Sequence, residues 1–191
     1  TVKTRLGWDD HTKNEYEVAE RLQDIGIQAL TIHGRTRSQM YKGHADWTLI
    51  REIKRNPRIR IPIFGNGDVD SVEKAMNWRM EYEVDGIMIG RAAIGYPWIF
   101  REVKHFLKTG EHLPGPTLSE RVHICKTHLD KSVAWKGERT GIFEMRRHYA
   151  NYFKGIPNFK EYRVKLVSSE NILEIHSVLE EISARLESAV N

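Results

Sequence analysis

Four short runs of β-branched and apolar residues each lead into a polar loop, and that recurrence constrains the fold more than any other feature. The runs are TVKTRLG at 1–7, LTIHGRTR at 30–37, IPIFGNGDVDS at 61–71 and DGIMIGRAA at 85–93. Between them the spacing turns helical. Tyr16, Ala19, Leu22 and Ile25 recur three apart and predict a helix over 14–26, closed by a glycine. A short helix is expected from Trp47 to about Arg55. Another, capped by Asp70 or Ser71, should run to about Tyr82. Strands are expected over 29–33, 61–64 and 86–89, with Pro62 tolerated only near a strand start. Pro97 opens a helix over 98–107. Strands that alternate with helices build a parallel sheet. Four such strands make the second half of a (β/α)8 TIM barrel, whose chemistry gathers where the strands end. The chain opens within a strand, so the other half of the barrel is expected to lie outside it.

The pattern breaks at TGEHLPGP, 109–116, a linker rich in turn-formers. Beyond it the chain reads as helix. Thr117 and Glu120 have capping-box spacing, and Leu118, Val122, Cys125, Leu129 and Val133 form one apolar face. Ile142, Met145, Tyr149 and Tyr152 form a second. Ile172, Ile175, Leu179, Ile182 and Leu186 form a third. Narrow stripes of this kind suit a small antiparallel bundle. Two domains are therefore expected, a half barrel at 1–110 and a helical bundle at 111–191.

Composition narrows the class. The 191 residues are 40% hydrophobic, enough for a normal core, with no apolar run near the roughly 20 residues that span a bilayer. The single cysteine, Cys125, rules out a disulfide framework, falls on an apolar stripe and points to a reducing, cytoplasmic setting. No histidine pair has zinc-ligand spacing, so no metal site is expected. Charge is uneven. Residues 121–165 hold eleven Lys or Arg against four acids, whereas residues 166–191 hold one Arg and five Glu. A basic block of this density suits a polyanion.

The strand ends carry the candidate chemistry. In Asn66-Gly67-Asp68 and Gly90-Arg91, glycines let backbone amides approach an anion, each ahead of a helix start, and Arg91 adds a guanidinium. Loops after the last two strands are a common phosphate site in barrels. Lys3 alternates with Val2 and Thr4 and is expected to be buried at the barrel mouth, where a lysine needs an anionic or strongly polar partner. A flavin ring edge would serve. His33 could reach the same ring or the phosphate, or merely cap a carbonyl.

Taken in order, VKTRLGW, LTIHGRT, PIFGNGD and DGIMIGRAAIGYPWIF resemble the second half of a bacterial tRNA-dihydrouridine synthase. The stretch EMRRHYANYFKGIPNFKEYR is similar to that family's C-terminal helical domain. The resemblance implies FMN in the barrel, NADPH as reductant, and hydride delivery to C6 of a uridine extruded from tRNA. It places the flavin lysine on Lys3, the HGR histidine on His33, and the phosphate loops on Asn66, Gly67, Asp68, Gly90 and Arg91. The family's catalytic cysteine belongs to the first half of the barrel, so these residues alone are expected to be inactive.

The same resemblance makes the helical domain a tRNA-binding one, with Arg146, Arg147, Lys154 and Arg163 suited to phosphates. Two open sheet edges in half a barrel are expected to promote self-association. Two other readings remain open. One is an FMN barrel reducing a small molecule, which would need no basic appendage. The other is a non-catalytic RNA-binding module.

Overall fold

The computed structural model describes the backbone of residues 1–187 and the side chains of residues 1–184. The chain divides into two compact units. The first is Thr1–Ala92 with Arg101–Glu111, and the second is Ala93–Phe100 with the chain from His112 on.

The first unit is built on a four-stranded parallel sheet in the order β1 (Val2–Arg5), β2 (Leu30–His33), β3 (Ile63–Asn66) and β4 (Gly86–Met88). Helices α1 (Glu15–Asp24), α2 (Thr48–Arg55) and α3 (Val72–Glu81) form the crossovers. Leu30, Ile32 and Ile63 are fully buried, as are Ala19 of α1 and Ile50 and Ile53 of α2. Fully burying one such aliphatic side chain contributes about 1.5–3 kcal/mol. Trp47, also fully buried, meets Trp78 edge-on at 4.9 Å and Tyr82 at 5.7 Å. Ser71, not Asp70, caps α3, its hydroxyl accepting from the Lys74 amide at 3.2 Å.

Three expectations shift. The third strand begins at Ile63, not at 61, because Pro62 has no N–H to donate to a ladder, although its carbonyl accepts from Leu30 N at 3.0 Å. On α1 only Ala19 of the expected stripe is buried, while Tyr16 and Ile25 are exposed. The fourth strand is not buried on both faces: Gly86 and Ile87 are half-buried and Met88 is exposed.

A helix α4 (Ile99–Thr109) follows. The second unit holds α5 (Leu118–Lys136), α6 (Glu138–Tyr152), α7 (Lys160–Ser168) and α8 (Ile172–Glu187). Val122, Cys125 and Leu129 of α5 share a buried apolar core with Ile142, Met145 and Tyr149 of α6, Leu166 of α7, and Ile175, Leu179 and Ile182 of α8. Leu186, expected on the last stripe, lies outside the described side chains. The capping box forms: Thr117 Oγ1 accepts from Glu120 N at 3.2 Å, and Glu120 Oε2 from Thr117 N at 2.8 Å. Helix α7 is the element that periodicity missed. Leu166 is buried and Phe159, Tyr162 and Val167 pack partly buried on the same core at spacings of three and four, a short stripe that the sequence analysis passed over and that packs on α6 and α8.

Among the described residues no helix is long and apolar enough to cross a membrane.

Candidate functional site

Register across the sheet assembles the site. Arg5 pairs with His33, His33 with Asn66, and Asn66 with Met88, so one residue of each strand falls in a single row at the C-terminal edge. All four line a cleft of about 550 Å³. The same cleft is lined by Lys3, Gly67, Asp68, Gly90 and Arg91, which brings all seven cofactor candidates from the first unit into one place. Asn66 ties the last two loops together, its side-chain amide donating to Met88 O at 2.7 Å.

The loops are held by a carboxylate between two guanidiniums. Asp68 has a left-handed backbone (φ 56°) and turns Oδ2 to Arg35 Nη2 at 2.7 Å and to the amide of Ala45 at 2.7 Å. Its Oδ1 accepts from Arg91 Nη2 at 3.0 Å. Partial desolvation would raise the Asp68 pKa, but the Ala45 amide, Arg35 and Arg91 outweigh it and hold the carboxyl below its usual range. Arg35 is 2% exposed and also donates to the carbonyls of Lys42 (3.2 Å) and Gly43 (2.6 Å). Asp68 thus organises the cleft and keeps Arg91 at its rim.

Several donors remain free. The amides of Gly67, Asp68 and Gly90 make no hydrogen bond with any described residue. A side chain at Gly67 (φ 118°) would collide with His33 and Ala45, whereas Gly90 opens onto empty space. Unpaired amides around a cleft rimmed by a guanidinium fit a phosphate group.

His33 is buried, with Arg35 Nη1 3.4 Å from its Nε2. Burial first, then Arg5, Lys3 and Arg35, lower its pKa to about 4 against the pull of Asp68, so the ring is neutral at pH 7. Lys3 departs from expectation. It is exposed and makes no ion pair or hydrogen bond with a described residue. Desolvation at the cleft wall and then the neighbouring Arg5 lower its pKa. A lysine in this state offers its charge to whatever enters.

Arg5, Arg35 and Tyr41 belong to this region and were not singled out in the sequence. Arg91 and Arg5 lie 4.8 and 5.9 Å from the Tyr41 ring centre. The signal for Arg35 was its position two residues past His33 in HGR. For Arg5 it was the same-face alternation with Lys3.

In the second unit the four basic candidates are unlike one another. Arg146 is folded inward, 4.0 Å from the Phe143 ring centre, donating to Ser169 O at 3.3 Å and 3.8 Å from Glu170. Its guanidinium is thus partly engaged within its own unit, while its buried Nε has no hydrogen-bond partner among the described residues. Arg147 is exposed beside Glu144, and Lys154 and Arg163 are exposed. Cys125 is fully buried and burial pushes its thiol pKa far up, so it is inert. Among the described residues no three His, Cys, Asp or Glu side chains are grouped as metal ligands.

Comparison with known proteins agrees across the whole described chain. A family model, Dihydrouridine synthase (Dus), matches residues 1–187. Probable tRNA-dihydrouridine synthase 1 of Synechocystis is 42% identical over 181 residues, 95% of this chain and 50% of the relative. tRNA-dihydrouridine synthase B of Pseudomonas putida is 44% identical over 171 residues, 90% and 50% of the two chains. A probable tRNA-dihydrouridine synthase of Rickettsia conorii is 41% identical over 163 residues, 85% and 49%. The chain spans about half the length of the curated relatives it matches.

Proposed function

The chain belongs to the dihydrouridine synthase family, and from that premise we propose that it supplies the flavin-phosphate side of an enzyme reducing uridine to dihydrouridine in tRNA. On this reading the parallel sheet is the second half of a (β/α)8 barrel, and the helical unit is a bundle that binds tRNA. FMN, reduced by NADPH, supplies the hydride for C6 of the uridine. The observation that carries the reading is the single cleft lined by Lys3, His33, Asn66, Gly67, Asp68, Gly90 and Arg91, with unpaired amides at its loops.

Each residue then has a definite task. The amides of Gly67, Asp68 and Gly90 and the Arg91 guanidinium would hold the phosphate. Asp68 contributes its amide while its carboxylate positions Arg91. Lys3 would place a positive charge at the ring edge that gains electrons, favouring the reduced form. His33, neutral, offers a hydrogen bond without added charge. The single cysteine of this chain is buried in the helical core, so it is not the group that protonates C5. We expect this chain alone to form no dihydrouridine from NADPH and tRNA, and NADPH-dependent dihydrouridine formation by these residues would refute that.

The test is the full-length protein. It should purify yellow with an FMN spectrum, and tRNA from a deletion strain should lack dihydrouridine by mass spectrometry. Arg91→Ala should weaken FMN binding about tenfold or more, as loss of a charge-assisted hydrogen bond does. A colourless protein that refuses FMN would overturn the reading. Bound FMN with tRNA dihydrouridine intact in the deletion strain would favour the small-molecule reductase.

A further inference from the structure

A second cleft, of about 530 Å³, opens at the same strand ends and is lined by Lys3, Arg5, Gly7, Trp8 and Arg37, with Thr4 and Asn14 behind them. It holds three cations and no carboxylate. Two of those cations, Lys3 and Arg5, also line the first cleft, so the two share a wall. Arg5 is fixed by neutral acceptors, Thr36 O at 2.9 Å and Met40 O at 3.0 Å, which leave its charge uncompensated. The side chains of Lys3 and Arg37 make no hydrogen bond or ion pair with any described residue. Nearby acids are occupied elsewhere. Asp10 pairs with Lys13 at 2.9 Å, and Asp9 accepts from His11 N and Thr12 Oγ1. Glu15 is buried, with its pKa raised by desolvation to about 7 against a hydrogen bond from Thr4.

Trp8 is the other half of the observation. It is 65% exposed, yet its backbone is braced. Trp8 O accepts from Ser38 N at 2.8 Å, and Gly7 O from Arg37 N at 2.9 Å, which stitches the loop after β1 to the loop after β2. Gly7 (φ 147°) packs so closely on Thr12 O that a side chain there would overlap it. An indole left in water on an ordered backbone, beside cations with no counter-charge, is a stacking platform with a phosphate clamp.

We propose that this second cleft holds the RNA nucleotide adjoining the uridine that enters the first cleft, its base stacked on Trp8 and its phosphates held by Arg37, with Arg5 adding its charge at the wall the two clefts share. The inference rests on the reading of the first cleft given above. Extruding one base strips its neighbour of a stacking partner, and an aromatic side chain replaces what is lost. A single nucleotide fits the pairing of one exposed ring with a run of unpaired cations.

The experiment compares full-length wild-type protein with Trp8→Ala, Trp8→Phe and Arg37→Ala, at side chains exposed in this chain. Two quantities are read: tRNA affinity across a salt series, and flavin reduction by NADPH without tRNA. Trp8→Ala should weaken tRNA binding about tenfold with the salt slope unchanged, and Trp8→Phe should restore most of it. Arg37→Ala should weaken binding and lower the log–log salt slope by about one. Flavin reduction should be the same in all four. Wild-type tRNA affinity in both alanine variants would overturn the inference while leaving the flavin reading intact. Slowed NADPH reduction with intact tRNA affinity would overturn it too, by giving the cleft to the dinucleotide. A wild-type protein that takes up no FMN would remove the reading and the inference together.

Discussion

Arg35 and Tyr149 are both almost wholly buried polar side chains, one beneath the strand-end cleft and the other in the helical core. Arg35 directs its guanidinium to Asp68, to two backbone carbonyls and towards His33. Tyr149 leaves its hydroxyl with no partner among the described residues, in a setting where burial pushes its pKa well above normal. The cleft therefore gets its order from a charged network in which each member depends on the rest. The helical core gets its order from apolar fit, and the Tyr149 hydroxyl is incidental to it. A region meant to receive an anion must keep charge half-buried, and only a network keeps that tolerable.

The strongest way to break the contrast is Asp68→Ala. It strands Arg35 as a buried, unpaired cation and should cost about 3–5 kcal/mol in a denaturant melt. Leu129→Ala, in the helical core, should cost a comparable amount, about 2–5 kcal/mol, through its cavity. The two part ways in the cleft: Asp68→Ala also frees Arg91 and should weaken FMN binding, while Leu129→Ala should not. A loss below about 1 kcal/mol for Asp68→Ala would mean that Arg35 does not rely on it.

Titration sharpens the comparison next. His33 has its folded pKa lowered from the ordinary 6.5 to about 4, so the stability it contributes is lost as pH falls from 6.5 towards 4. Glu15 has its folded pKa raised from the ordinary 4.5 to about 7, so its contribution is lost as pH rises through that range. The two slopes oppose each other between pH 4.5 and 6.5. Glu15→Gln keeps an acceptor for Thr4 and removes one slope. Its stability should rise with pH over this window and exceed wild type at pH 8 by roughly 3 kcal/mol. Parallel profiles for the two proteins would contradict that assignment.

The smallest effect expected is at Tyr149. Tyr149→Phe removes a buried hydroxyl that has no partner among the described residues, so stability should be unchanged or rise by up to about 1 kcal/mol. A clear loss in the melt would reveal a partner for that hydroxyl.

Much of this was legible in the string. Glycine-bearing loops after apolar runs placed Gly67 and Gly90, and the Thr117–Glu120 spacing placed a cap, because turn and cap chemistry act over a few residues. The cleft's membership followed from one fact of parallel sheets, that all strands end at the same edge. What failed did so for reasons of reach. Helix α7 is nine residues long, and its stripe of Tyr162, Leu166 and Val167 is too short for periodicity to stand out. The inward turn of Arg146 was not legible because its contacts, Ser169 and Glu170, lie more than twenty residues away in sequence.

By itself the sequence determined the order of strands and helices, the loops at which backbone amides lie bare, and the apolar stripes of three helices. Those are local properties, set by periodicity and by glycine and proline chemistry. Tertiary structure alone decided that Asp68 would face two arginines, one 33 and one 23 residues distant, that Lys3 would stay open, and that Arg146 would turn inward. Charges choose partners by distance in space, and only the folded sheet brings its strand ends within reach of one another.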